Sequence, residues 1–198
     1  MSRLRDEIEA AAGRPAALVT GAGQSVAGPD PGRVQVYVGT EAALHRVEHA
    51  DTVAFLDFDR ELLAPRYRAG EQAMALLARA ARLVGPRARG GRILVQTFLP
   101  DHIVLQAAVQ ADPGRLAEEE RKQRKLLGLP PFGAYAEIGG AGSEEFVASL
   151  PSVEGVVVAK SGEGFVARGP DSMTLGKALS EGERKPGSRL RVAVDPPR

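Results

Sequence analysis

Three consecutive segments restrict the fold more than any others. Residues 53–58 (VAFLDF) are an almost unbroken apolar run. Residues 68–84 are dense in alanine and leucine, with no glycine or proline after Gly70, and residues 92–97 (RILVQT) read as another strand around Ile93, Leu94 and Val95. A short apolar strand, a long helix and a second apolar strand make a crossover unit, and crossovers of this kind join parallel strands. Further strands are expected at 16–20 and 34–38, and a helix from Leu4 to Ala12 that Gly13-Arg14-Pro15 stops. The unbroken apolar texture of 53–58 predicts a strand covered on both faces. Residues 101–111 read as a helix that Pro113-Gly114 interrupts, and 115–127 as another. In that last helix Glu118 and Lys122, and Glu120 and Arg124, stand at i,i+4 and are expected to pair.

Leu129-Pro130-Pro131-Phe132 marks a boundary, because two successive prolines cannot continue a helix and they stiffen the joint. Beyond it, strands are expected at 134–138, 155–160, 164–168 and 189–194, with helices near 144–150 and 172–180. That pattern predicts a small α+β domain with a mostly antiparallel sheet. The division is residues 1–114 as an α/β lobe, 115–131 as a helical linker and 132–198 as the α+β domain.

Composition limits the chemistry. Hydrophobic residues are 43% of the chain but aromatics only 5%, so the core rests on Val, Leu, Ile and Ala. Cysteine is absent, which excludes disulfides, thiol catalysis and cysteine-type zinc sites. Twenty-six Lys and Arg nearly cancel 25 Asp and Glu, so any nucleic-acid footprint has to come from local clustering. No apolar run approaches the ~20 residues of a membrane span, and the charged N-terminus lacks the apolar core of a signal sequence. The expected location is cytoplasmic, without membrane contact.

Four ordered segments carry a resemblance: Val36-Tyr37-Val38-Gly39-Thr40-Glu41, then VAFLDFD at 53–59, then Tyr67-Arg68-Ala69-Gly70-Glu71-Gln72 leading to Gln96-Thr97, and finally Glu120-Arg121 followed by Leu129-Pro130-Pro131-Phe132. In this order they resemble the primosomal protein N′ family of replication-restart helicases, PriA, most closely over 34–136 and more weakly to the closing RLRVAVDP. The resemblance implies part of the second RecA-like motor lobe followed by the C-terminal domain. The family uses ATP, magnesium and zinc. Here the Walker motifs and zinc ligands of that family are missing, so no cofactor is expected in this chain. The family's loop after Gly39-Thr40 carries Lys-Gly, whereas this chain has Glu41 to Val47 in its place. Aligned back from Gln96-Thr97, the two arginines of the family's Gly-Arg-Ala-Gly-Arg motif fall on Leu83 and Pro86, and neither can stabilise a transferring phosphoryl group. Gly39, Thr40, Leu83 and Pro86 therefore mark degenerate motif positions, no catalytic residue is assigned, and the chain by itself is not expected to be an enzyme.

The binding candidates are arginines. No acidic residue falls between Glu71 and Asp101, while Arg79, Arg82, Arg87, Arg89 and Arg92 do, and guanidinium forks match phosphate oxygens. The plain alternative is a solvated face. A second cluster, Arg121, Lys122, Arg124 and Lys125, stands in the last turns of a helix, where the dipole favours cations in any case. In a third, Arg184, Lys185, Arg189 and Arg191, the last two alternate along a strand and share a face. Arg79, Arg82, Arg87, Arg89, Arg92, Arg121, Lys122, Arg189 and Arg191 are the expected DNA-binding set.

Weaker signals read as structural. Gly21 to Gly28 lacks the Lys and Ser/Thr of a phosphate loop and is expected to be an ordinary loop through Gly32. Asp57 and Asp59 are expected to cap a turn. His45 and His49 have zinc spacing but no third ligand, and are read as surface residues. The resulting expectation is a non-catalytic replication-restart protein that binds forked or single-stranded DNA. The resemblance adds single-stranded DNA-binding protein and primosome components as partners. A partial lobe with an uncovered apolar face adds homodimerisation. The alternatives are a helicase piece completed by another chain, and a protein-only scaffold.

Overall fold

The computed structural model describes residues 2–21 and 35–196. The loop expected over 21–32 therefore lies, but for Gly21, outside the described residues. The chain forms two compact units, one of residues 1–64 and 69–111 and the other of 65–68 and 112–198. The helix expected to act as a linker is grouped with the second unit, as are four residues embedded in the sequence of the first.

In the first unit, α1 (Ser2–Ala12) is followed by β1 (Ala16–Val19) and β2 (Val36–Gly39), which pair in parallel with Val19 opposite Gly39. Gly39 ends this ladder for a steric reason: a Cβ there would lie 2.3 Å from the Val19 carbonyl oxygen. Gly39→Ala is accordingly expected to cost about 1–3 kcal/mol by forcing the two strands apart. Gly176→Ala is the control, because nothing lies within 4 Å of the added methyl and it sits inside a helix. It should stabilise by about 0.4–1 kcal/mol. Thermal melts of the two variants should shift in opposite directions.

After the short α2 (Ala43–Arg46), β3 (Thr52–Phe55) pairs in parallel with β4 (Arg92–Val95), Thr52 opposite Arg92. The parallel strands thus form two separate pairs among the described residues rather than one continuous sheet. The β3 strand is shorter than its apolar run suggests. Asp57 turns to a φ of 56°, a conformation aspartate tolerates better than most side chains, and this ends the strand. Phe58 drops into the core at 2% exposure, its ring 5.0 Å from that of Phe55, just before α3 (Asp59–Leu62). Nor is β3 covered on both faces: Val53 and Phe55 are half-buried, while Thr52, Ala54 and Leu56 are exposed.

α4 (Ala69–Val84) covers the inner side of this pair. Its buried residues, Ala69, Ala73, Leu77, Ala80, Leu83 and Val84, recur every three or four positions and form one stripe. Gly85, at φ 68°, ends the helix. α5 (Ile103–Val109) is capped by the His102 ring nitrogen, which accepts from the Val104 amide at 3.3 Å, and it buries Val104, Leu105 and Ala107. Burial pushes His102 below the usual imidazole range, opposed by Asp59.

The second unit opens with α6 (Pro113–Leu127). Pro113-Gly114, expected as a break, instead begins this helix. A proline at the first helical position has no N–H to leave unpaired, and the Asp112 carboxylate accepts from the Gly114 amide at 3.1 Å. β5 (Ala134–Gly139), α7 (Ser143–Ser149), β6 (Val157–Ser161), β7 (Gly164–Gly169), α8 (Ser172–Ser180) and β8 (Arg191–Val194) complete it. The four strands form an antiparallel sheet in the order β6-β7-β5-β8. Ala134, Ala136, Ile138 and Ala167 turn to one face and pack with Phe146 of α7 and Leu175 and Leu179 of α8. Small residues on the strands and large ones on the helices fill this core.

At the start of α8 the Asp171 carboxylate accepts from the Thr174 amide and hydroxyl, both at 2.8 Å. These bonds, the amide first, hold its pKa below the usual carboxylate value. The resulting stabilisation is complete above the ordinary pKa of about 3.9 and disappears as pH falls through the depressed native value. Asp171→Ala should remove that part of the acid dependence, visible as a flatter stability curve below about pH 4.

Among the described residues no helix is long and apolar enough to cross a membrane.

Candidate nucleic-acid interface

The arginine stretch is built by how α4 ends. With Ala73, Leu77, Ala80 and Leu83 committed to the core, Arg79 and Arg82 fall on the opposite, exposed side. After Gly85 comes a 3-10 turn, Arg87–Arg89, preceded by Pro86 and closed by Gly90 at φ 88°. Gly91 follows where a Cβ would lie 2.4 Å from the Val84 carbonyl oxygen. The chain is thus pinned against the end of its own helix, and the Arg87 and Arg89 side chains are left in solvent. Arg92 then opens β4, its amide donating to the Asp51 carbonyl at 3.0 Å and its side chain exposed.

None of these five guanidinium groups pairs with a carboxylate among the described residues. Arg79 donates through Nε to the Leu44 carbonyl at 3.2 Å, a neutral acceptor that leaves its charge uncompensated. The five predicted arginines thus lie on one stretch of chain running from α4 through the 3-10 turn to the start of β4, all exposed and none paired with a carboxylate among the described residues.

The other two clusters are more heavily committed. Arg124 pairs with Glu120 at 3.0 Å, donates to the Pro130 carbonyl at 3.4 Å and lies 5.3 Å from the Tyr67 ring centre, a structural role. Lys122 pairs with Glu119 at 3.6 Å rather than with Glu118. The i,i+3 spacing still leaves the two side chains adjacent on the helix surface. Arg121 is exposed. In the third cluster Lys185 pairs with Glu145 at 3.8 Å and Arg184 lies over the Phe146 ring. Arg189 and Arg191 are exposed, but β8 begins only at Arg191, so the two do not share a strand face. The ladder stops there because Gly140, φ 87°, bends β5 away with the Arg189 carbonyl packed against it.

The resemblance marks Gly39, Thr40, Leu83 and Pro86 as degenerate positions. Gly39 permits the close approach of β1, and the Thr40 carbonyl accepts from the Ala43 amide at 2.8 Å at the entry to α2. Leu83 is buried at 9% exposure on the core stripe of α4, and Pro86 leads into the 3-10 turn. Neither offers a hydrogen-bond donor side chain to a nucleotide. Asp59 does not cap its own helix. Its carboxylate accepts from the Thr97 hydroxyl and from the Phe98 amide at 2.9 Å, locking the ends of β3 and β4 together. Asp57 pairs with Arg60 at 3.8 Å. His45 faces Glu41 at 3.7 Å and His49 faces Asp51 at 3.6 Å. No group of three potential metal ligands occurs among the described residues.

A shallow hollow of about 220 Å³ in the second unit, lined by Leu127, Gly128, Val157, Arg168 and Pro170 among others, contains none of the predicted binding residues. One feature of that unit that the sequence reading missed is a cluster of Tyr67, Arg68, Tyr135 and Asp195. Asp195 accepts from the Tyr67 hydroxyl and pairs with Arg68 at 2.7 Å, and the two tyrosine rings lie 5.0 Å apart. The only sequence signal for it is that Tyr67-Arg68 and Asp195 both lie in segments carrying the resemblance.

No protein-family model matches the chain. Replication restart protein PriA from Chlamydia pneumoniae is 34% identical over 103 residues, that from Haemophilus influenzae 30% over 103, and that from Thermotoga maritima 28% over 105. Each match covers 51% of this chain and 14% of the relative, so the chain matches only about one seventh of the length of these curated proteins. The similarity recurs across distant bacteria, so about half of this chain resembles the C-terminal part of replication restart protein PriA.

Proposed function

We propose that this chain acts in replication restart as a DNA-binding protein that does not itself hydrolyse a nucleotide. The observation that carries this reading is the run of five exposed arginines, Arg79, Arg82, Arg87, Arg89 and Arg92, without a carboxylate partner among the described residues and without an acidic residue from 72 to 100. Such a surface neutralises phosphates and releases counterions, which is how sequence-independent DNA binding arises. The name of the relatives, replication restart protein, supplies the process. The first unit is read as part of a RecA-like lobe. Forked or single-stranded DNA is the ligand, and single-stranded DNA-binding protein, primosome components and a second copy of the chain are the partners. The setting is the cytoplasm.

The absence of nucleotide chemistry rests on Leu83, whose side chain is committed to the core, and on Pro86. A protein-only scaffold is the competing reading, favoured by a net charge of only +1. Fluorescence anisotropy of a labelled fork, titrated at about 50 and 200 mM salt, separates the two. Binding that weakens steeply with salt supports the DNA reading, and no binding at either salt leaves the scaffold.

A further inference from the structure

The β3–β4 pair is covered by α4 on one side only. On the other, Arg92 and Leu94 of β4, the latter at 56% exposure, reach solvent, as does Gln96 just past the strand. Their neighbours on β3, by the register of the pair, are Thr52 and Ala54, with the 53%-exposed Leu56 beyond them. Past the strand end stands Phe98, 92% exposed, its backbone held by the Asp59 carboxylate. An aromatic side chain so fully in water, on so firmly fixed a backbone, contributes nothing to the fold that packing would explain.

We propose that this open face is a track for single-stranded DNA that continues the arginine stretch, with Phe98 as the platform on which a base stacks. The proposal rests on the reading of Arg87, Arg89 and Arg92 as phosphate-binding residues. Three observations favour this occupant.

The first is charge. The only charged residue among the exposed β3 and β4 positions of this face is Arg92, and Arg87 and Arg89 precede it. Of the acids at the two ends, Asp51 faces His49, Asp57 is paired with Arg60 and Asp59 is bound to Thr97 and Phe98. Asp101 stands three residues past Phe98. Phosphate is therefore favoured at the arginine end, and an uncharged base at the Phe98 end.

The second is texture. Thr52, Arg92 and Gln96 interleave with Ala54, Leu56 and Leu94, whereas a face that packs against protein would be more uniformly apolar at its centre. The third is spacing. Alternate residues of a strand repeat about every 6.6 Å, roughly twice the 3.4 Å rise per nucleotide of a duplex strand, so an unstacked strand stretched to about one nucleotide per repeat can follow it. Stacking on aromatic side chains is how single strands are held without regard to sequence.

The test is anisotropy of the full chain with a labelled thymidine oligonucleotide and with a hairpin duplex, together with quenching of 2-aminopurine placed in the oligonucleotide. Phe98→Ala should weaken single-strand binding about 10-fold, abolish the quenching and leave the salt slope and duplex affinity unchanged. Phe98→Tyr should restore both affinity and quenching. If the wild type binds the oligonucleotide and Phe98→Ala binds it equally well, the track is wrong while the arginine reading stands. If the wild type binds no DNA, the arginine reading fails and the track with it. A dimer by light scattering that Phe98→Ala or Leu94→Glu converts to monomer overturns the proposal in favour of a second copy as the occupant.

Discussion

Alanine at Arg87, Arg89 and Arg92 together is expected to weaken binding to the duplex arms of a fork at least about 40-fold at low salt, and to flatten its salt dependence. The magnitude follows from counterion release. Each neutralised duplex phosphate contributes a slope of about −0.9 to log K against log salt. Removing three contacts lowers the slope by about 2.7, so over a fourfold rise in salt, from about 50 to 200 mM, the wild-type advantage should shrink about 40-fold. On a single strand, at about −0.7 per phosphate, the shrinkage is about 20-fold. All three side chains are exposed, and exposed substitutions rarely move stability by more than about 0.5 kcal/mol, so the variant's melting curve should overlay the parent's. The lysine triple variant sharpens the assay. Lysine keeps the charge but not the planar fork, so it should keep the slope while losing affinity. An alanine variant with the parental slope would sink the interface and return these residues to a solvated face.

The parts of the fold legible in the sequence are those fixed by local pattern. The apolar stripe of α4 and the start of α8 at Ser172 follow from side chains that repeat or cap within a few residues. The arginine stretch was legible for the same reason, since its isolation from acids is a property of consecutive residues. What misled was local pattern overruled by one backbone event. VAFLDF reads as a six-residue strand, yet Asp57 in the left-handed region ends it at Phe55. Pro113 reads as a break and is a start, because the Asp112 cap that converts it stands outside the helix. Asp59 looked like a turn cap, but its partners, Thr97 and Phe98, are 38 and 39 residues away. Exposure was also out of reach: nothing in the apolar run at 53–58 indicates that one of its faces is open.

The extreme case of such distance is Tyr67, and Tyr67→Ala is expected to destabilise the second unit by about 2–4 kcal/mol, although the residue lies in the sequence of the first. Its ring contacts Tyr135 at 5.0 Å and lies under Arg68 and Arg124 at 5.2 and 5.3 Å, and its hydroxyl donates to Asp195. A tilted aromatic pair is worth about 0.5–1.5 kcal/mol, each partly buried cation–π contact about 0.5–1, and a hydrogen bond to a carboxylate about 1.5 before screening. These contributions share partners and do not add fully. For a unit of this size the melting point should fall by roughly 10–20 °C. Asp195→Asn, which weakens the Arg68 pair but keeps the rings, should cost about 1 kcal/mol or less, since both side chains are partly in water.

A second readout separates this cluster from general loosening. Tyr135 is raised to about 12, first by burial and then by Glu137, whose carboxylate accepts from its hydroxyl at 3.2 Å. The stability this contributes is complete below the ordinary tyrosine value near 10 and is lost as pH rises through about 12. Removing the Tyr67 ring opens Tyr135 to water, so its ultraviolet titration should slide back towards 10. A variant with an unchanged melting point and an unchanged Tyr135 titration would mean that residues 65–68 merely lie on the second unit. A fall in both would make them a structural part of it, supplied from a segment that residues 69–111 separate from the rest of that unit.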